Sequence, residues 1–386
     1  MAIPSPIHPM HERAEAIFLP YASPDQAGEP AMVVEAYASV EVEYAAIRKG
    51  VALFDEPHLG SIRISGDDGV EFLNRMVTQQ LDGLNPYQHR RSFWLSRKGR
   101  IDADLRLAFD GSQILAEVDV LVAASVAESL SQYVFAEDVT FTDVSDELHR
   151  MSLHGPKGID LLSSIATPSA GPVLATIEEG QSAVVTVEGF EVHIDRGDIT
   201  GQPGLRLAMP KDGAAAIWEA LLRADAEAEH TFALKPAGWH AINIARLEGG
   251  TPVFNVDFGT NSLPAETSLL DQRVDFTKGC YLGQEVVARM HSLGHPKQVL
   301  VALQADASTP EDGQPQTGMA LLSKGSDNSI GAITSSVRSP MLSNAVICFA
   351  MVKWGHHEAG TVLETVTAAG HTELTVQEQL TFWKPD

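Results

Sequence analysis

Lys278-Gly279-Cys280-Tyr281-Leu282-Gly283-Gln284-Glu285 sets one of the chain's two cysteines between glycines, just ahead of a helical run. Glu285 to Met290 is amphipathic, and Gly294 and Pro296 end it, the first as an expected left-handed cap and the second because proline cannot continue a helix. The helix is therefore expected to begin near Gly283. Free N–H groups and the positive end of the helix dipole then lie close to Cys280, and Lys278 adds a cation, so the thiolate is favoured. Flanking glycines allow a tight turn or a close backbone approach. The competing reading is that a lone cysteine is a small buried hydrophobe. Cys348, inside the apolar run Ala345 to Ala350, fits that description better.

With 386 residues, the chain has room for roughly two or three domains of about 150 residues each. Its content, 44% hydrophobic and 20% charged, is that of a soluble globular protein. A net charge of -24, from 27 Lys+Arg against 51 Asp+Glu, repels polyanions and argues against a broad nucleic-acid footprint. Two cysteines suit a reducing cytosol better than a disulfide scaffold. Met1 to Pro9 lacks the charged and apolar regions of a signal peptide. The most apolar stretch, Ile114 to Ala127, is interrupted by Glu117 and Asp119, so no membrane span is expected. The expected location is cytoplasmic.

Residues 1–35 read as a loosely ordered extension with one helical turn around Glu12 to Phe18. Residues 36–150 read as an α+β domain. Val40 to Lys49 has helical spacing, Ser61 to Gly66 alternates as a strand, Asp67 or Asp68 can cap the next helix, and strands span Arg91 to Ser96 and Arg100 to Ala108. A second α+β domain, 151–296, carries a helix over Gly158 to Ile165, a hairpin around Gly189, and helices over Ala214 to Arg223 and Ala237 to Leu247. Residues 297–386 turn to short strands separated by turns, the pattern of a small barrel. No phosphate-binding loop, dinucleotide fingerprint or zinc spacing is visible, and no metal site is expected.

The opening octapeptide resembles the signature of the YgfZ-like folate-binding proteins, a branch of the superfamily of the glycine-cleavage T-protein (aminomethyltransferase). Further stretches are similar to that superfamily: Ala46-Ile47-Arg48 through His58-Leu59-Gly60, Thr200-Gly201-Gln202-Pro203-Gly204, Arg246-Leu247-Glu248-Gly249-Gly250, and Ile330 to Ser336 with Ser339-Pro340. The resemblance covers about residues 40 to 386. It implies a T-protein-like multidomain α+β fold, two α+β domains around a central folate cavity plus a C-terminal β-barrel.

It also implies tetrahydrofolate, or a one-carbon-substituted form, as cofactor. Asp104, in Lys98-Gly99-Arg100-Ile101-Asp102-Ala103-Asp104-Leu105, matches the family's aspartate beside the reacting folate nitrogen, although the family's second glycine and first aspartate are missing. On a strand, Asp102 and Asp104 share one face, which in many proteins is merely solvated. Gln202 stands where the family has a pterin-contacting Glu and cannot carry its charge. Arg246 matches an arginine that could grip the folate glutamate tail, or be an ordinary ion-pair partner. Lys278, Tyr281, Gly283, Gln284 and Glu285 complete the implied cofactor-binding set, and Cys280 is the implied functional thiol.

The leading functional expectation is a folate-binding protein supporting iron-sulfur cluster assembly or repair, and indirectly tRNA modification, with assembly factors or client proteins as partners and no direct nucleic-acid contact. The alternative is a folate-dependent aminomethyltransferase or methyltransferase of the T-protein type. Whether the chain turns over a substrate stays open at this point.

Overall fold

A computed structural model of the chain describes residues 5–22, 30–326 and 328–384. It divides into two units: Met1–Trp94, Ala103–Asp198 and Gln202–Ile242 in the first, and Leu95–Asp102, Ile199–Gly201 and Asn243–Asp386 in the second.

The first unit begins with α1 (His8–Arg13), followed by β1 (Ile17–Tyr21) antiparallel to β2 (Ala31–Ala36). Ser39 then starts α2 (Val40–Lys49) by accepting the Val42 N–H on its side chain, which satisfies a donor that the first helical turn leaves open. The chain continues through β3 (Val51–Asp55), β4 (Leu59–Ser65), α3 (Gly69–Met76), β5 (Gln88–Leu95), β6 (Ile101–Phe109), β7 (Ile114–Asp119), α4 (Ala123–Ser131), β8 (Thr140–Asp143) and β9 (Leu148–His154). After α5 (Gly158–Ile165) come β10 (Thr167–Ala170), β11 (Ser182–Val187), β12 (Phe190–Arg196) and β13 (Gly204–Pro210), then α6 (Ala214–Glu227), β14 (Leu234–Ala237) and α7 (Trp239–Glu248), whose residues from Asn243 on belong to the second unit.

These strands make a five-stranded sheet ordered β5-β6-β7-β4-β8 and a seven-stranded sheet ordered β10-β11-β12-β13-β9-β3-β14. The boundary expected at residue 150 falls inside β9, whose Leu153 pairs with Leu53 of β3, so one sheet draws on both expected domains. Period-2 alternation gives β13 two different faces. Leu205, Leu207 and Met209 join a buried cluster with Leu161 and Leu162 of α5 and Ile217, Trp218 and Leu221 of α6. Each such side chain contributes about 1.5–3 kcal/mol by leaving water. Arg206, between the leucines, instead meets Glu117 of the five-stranded sheet through a 2.6 Å hydrogen bond. The space between the two sheets is therefore ionic. Ser61, Glu117 and Arg106 pair in register across β4, β7 and β6, and Asp195, Arg206 and Ser152 across β12, β13 and β9.

Two sequence expectations change here. The N-terminal stretch expected to be loosely ordered is built into the first unit where it is described. Ile7 sits in the α5–α6 cluster, and His11 Nε2 lies 3.0 Å from Asp55 Oδ2 while its Nδ1 lies 2.8 Å from the Tyr37 hydroxyl. His149 takes the other Asp55 oxygen at 2.6 Å. Burial opposes the charge on Asp55, but the two histidines outweigh it and hold the carboxyl below its usual range. Asp68 does occupy the N-cap position of α3, yet its side chain makes no cap bond. Its carboxylate accepts the Asp138 N–H instead.

In the second unit, α8 (Leu270–Arg273) and α9 (Gln284–Leu293) precede β15 (Gln298–Ala305), β16 (Ala320–Ser323), β17 (Ser329–Ser339), β18 (Ala345–Lys353), β19 (Val362–Thr367) and β20 (Gly370–Val376). These six strands close into a barrel ordered β15-β18-β17-β16-β19-β20, the C-terminal barrel of the expected fold class. Val301, Leu303, Cys348 and Leu363 belong to one core cluster, while Leu300, Ala302 and Phe349 join Leu247 of α7 in another. Gly294, expected as a left-handed cap, has φ −143° and is extended. No helix among the described residues is long and apolar enough to cross a membrane.

Candidate functional site

On β6 buried residues alternate with half-buried ones, Ile101, Ala103 and Leu105 inward and Asp102 and Asp104 on the other face, as expected. The Asp104 side chain is only 4% exposed and accepts a 2.7 Å bond from Arg91 Nη2 of β5. Burial raises the Asp102 carboxyl above its ordinary value. The same face of β6 continues to Arg106.

There the ionic layer begins. Glu117 Oε2 accepts from Arg150 at 3.1 Å and from Arg206 at 2.6 Å, and Arg206 also reaches Glu56 at 3.1 Å. Against the effect of burial, Arg206 and Arg150 hold Glu117 well below the carboxylate range. Burial raises Glu56, with Arg206 only partly compensating. Burial likewise pushes three nearby histidines down, aided by an arginine each: His58 to about 4 and His154 to about 3 beside Arg206, and His89 to about 4 beside Arg106. They are neutral at pH 7. Sequence reading did not find this layer. Its trace is the repeated Leu105-Arg106-Leu107 and Leu205-Arg206-Leu207, a charge between leucines that ordinarily marks a strand with one wet face. A hollow of about 20 Å³ at the edge of the layer is lined by Tyr87, Ala108, Ser182, His193, Asp195 and Ala208 among others. Asp104, which the resemblance sets beside a folate nitrogen, is not among its lining residues.

In the second unit the octapeptide forms the approach to α9. Gly283 is the N-cap at φ +81°, a left-handed conformation that glycine adopts at little cost. A Cβ there would lie 2.9 Å from the Ser96 carbonyl oxygen, and a Cβ on Gly99 would lie 2.7 Å from Val286 Cβ. Two motifs singled out separately in the sequence, the Lys98-Gly99-Arg100 turn and Lys278 to Glu285, thus pack on each other through their glycines. Gly279, by contrast, stands in open space. Cys280 is exposed and Cys348 buried, and burial pushes the Cys348 thiol up to about 12. Lys278 lies 5.4 Å from the Tyr281 ring centroid, a cation–π contact. Burial lowers the Lys278 amine to about 8, with Asp275 opposing, and raises the Tyr281 phenol to about 12. Gln284 is half-buried and Glu285 exposed.

Arg246 is fully buried. Nε donates to Asn243 Oδ1 at 2.9 Å, Nη1 to the Thr251 carbonyl at 3.0 Å and to Asp257 Oδ2 at 2.6 Å, and Nη2 to Ser335 Oγ of β17 at 2.7 Å. Asp257 Oδ1 accepts from Thr334 and Ser335 in turn. The expectation that Arg246 grips a folate tail is corrected on this geometry: its planar fork is committed to Asp257, and it ties α7 to the barrel. Gln202 is buried in the first unit.

Comparison with known proteins follows the same lines. The family profile described as the GCVT N-terminal domain matches residues 7–278. An aminomethyltransferase of Saccharopolyspora erythraea is 28% identical over 366 residues, spanning 93% of this chain and 92% of the relative. One from Chlorobium chlorochromatii is 27% identical over 378 residues, 95% of each. The crystal structure of the glycine cleavage system aminomethyltransferase T from Bartonella henselae superposes with a TM-score of 0.84 at 21% identity, covering 100% of this chain and 99% of that one. The fold is that of the T-protein, with mixed α and β domains and a closed six-stranded barrel.

Proposed function

Because the chain belongs to the GCVT N-terminal domain family, we propose that it is a tetrahydrofolate-dependent one-carbon protein of the aminomethyltransferase type. The observation that carries this reading is Asp104, a desolvated carboxylate fixed by Arg91, in the stretch whose sequence resembles the one that holds the family's folate-directed aspartate. A buried carboxylate and the buried amide of Gln202 suit the donor-rich edge of a reduced pterin, since both accept hydrogen bonds and the amide also donates. Tetrahydrofolate, when bound, supplies the nitrogen that accepts or releases the one-carbon unit. Asp104 orients that nitrogen and stabilises positive charge developing on it, and Arg91 holds the carboxylate in one rotamer. Gln202 is neutral where the family has a glutamate, so it contributes orientation without a charge.

The test is turnover of tetrahydrofolate with an aminomethyl donor. Multiple turnover by the native chain, falling by about 10²-fold in Asp104→Asn, is expected. Absence of turnover by the native chain at saturating folate overturns the reading. A second reading, support of iron-sulfur cluster assembly or repair, is favoured by one observation, the exposed Cys280 in a motif similar to the YgfZ-like signature. An exposed cysteine can ligate soft iron or attack a disulfide. Loss of cellular cluster-enzyme activity in Cys280→Ser, with folate binding intact, would support it. Robust turnover that survives Cys280→Ala supports the transferase.

A further inference from the structure

The hollow at the edge of the ionic layer is lined by two carboxylates and by no lysine or arginine, and the geometry points to a binding site there for a single ammonium ion. Two neighbouring strands supply its polar wall. Ser182 of β11 and Asp195 of β12 are direct partners in the antiparallel register, so their side chains share a face. His193, two residues before Asp195, stands on that face as well. All three line the hollow together with Tyr87 and Asp110, and all five residues belong to the first unit.

Two of these side chains are buried with nothing to bind. Ser182 is 7% exposed, and its Oγ has no hydrogen-bond partner among the described residues. Asp195 is also 7% exposed and makes no hydrogen bond or close ion pair among the described residues. Arg206, Arg150 and Arg106 act on it only at longer range. Asp110, against the effect of burial, is held below its ordinary value by the N–H groups of Gln113 and Ser112, so it brings a full negative charge to the rim.

Buried polar groups left unbonded are rare, and here a hydroxyl and a carboxylate in that state share one space. Its volume of about 20 Å³ admits one particle of water's size and excludes an organic molecule. Calcium and magnesium demand a shell of about six or more oxygens, and no group of three or more His, Cys, Asp or Glu among the described residues could hold a metal. Ammonium is close to water in size and is satisfied by a few acceptors. It donates a charge-assisted bond to the Asp195 carboxylate and another to Ser182 Oγ, since a hydroxyl accepts as readily as it donates. A water molecule makes similar bonds but leaves the charge of Asp110 and Asp195 unanswered, so a response specific to the ion separates the two.

The experiment follows thermal unfolding of the full chain at neutral pH in ammonium, potassium, sodium and choline chloride at equal ionic strength. Ammonium is expected to raise Tm saturably above the level in the other three salts. Ser182→Ala removes a hydroxyl that binds nothing in the chain, so its Tm in sodium chloride stays at the native value. Its half-saturating ammonium concentration rises about tenfold or more, as loss of one hydrogen bond to a charged group requires. Asp195→Asn abolishes the ammonium response. The same Tm in all four salts overturns the site and leaves a hollow for water. A saturable rise with potassium as large as that with ammonium overturns the ammonium assignment, and an ammonium response unchanged in Ser182→Ala overturns the placement. Should Asp195→Asn fail to fold, the proton resonance of nitrogen-15 ammonium decides. Broadening by the native chain that diminishes with Ser182→Ala supports the site, and absent or equal broadening overturns it.

Discussion

Arg246 donates to Asn243, Thr251, Asp257 and Ser335, and its removal leaves Asp257 buried without this cation. Breaking one side of a buried pair costs about 3–5 kcal/mol because the remaining charge stays desolvated. Arg246→Ala is therefore expected to lower the urea midpoint by a corresponding amount, and Arg246→Lys to recover little, since an ammonium cannot reproduce the fork that spans Asp257 and Ser335. An unfolding free energy within about 1 kcal/mol of the native value, on the order of a surface pair, would contradict this. The two cysteines give a second contrast. Iodoacetamide at pH 7.5 should label Cys280 and leave Cys348 untouched until the barrel unfolds, as read by peptide mass spectrometry. Both residues illustrate what sequence conveys. The octapeptide announced the exposed cysteine, whereas Arg246 looked the same whether it met a ligand or Asp257, because no local pattern records which carboxylate folds onto it.

At the scale of elements, the junction between Gly99 and Gly283 fixes where α9 begins. Gly283→Ala places a Cβ in a left-handed residue and against the Ser96 carbonyl, a strain of about 1–2 kcal/mol. Amide exchange over residues 284–293 should accelerate in that variant, while the barrel amides stay protected. Equal protection of α9 in both proteins would show that the close contact is relaxed at no cost. The helices over 40–49 and 158–165 were legible because their apolar spacing is a purely local signal. The ionic layer was not. Alternation of leucine and arginine tells that a strand has two unlike faces, and it does not tell that the polar face is covered by a second sheet carrying the opposite charge.

For the molecule as a whole, the layer sets the response to acid. His58, His89 and His154 have folded-state values of about 4, 4 and 3, below the unfolded value of about 6.5. Between those limits the unfolded chain binds more protons than the native one, so stability is full above about pH 6.5 and declines as the pH falls toward 4. Urea midpoints measured from pH 7.5 to 4.5 should drop accordingly, and His154→Gln should flatten part of that slope. A flat profile would mean that these rings are solvated. Glu117 and Asp55, held low by their partners, add their own loss only in stronger acid.

The placement of β3 has a consequence for how the polypeptide is made. Val51 pairs with Leu234 on one side and Ala52 with His154 on the other, so a strand translated early has to wait for partners translated much later. Pairings so distant in sequence close slowly. On the ribosome, the β14-facing edge of Val51 to Phe54 stays uncovered until residue 237 has emerged, and uncovered strand edges of this kind are the surfaces that chaperones shield during synthesis. In the barrel the longest wait is shorter, that of β15 for β20, within residues 298–376.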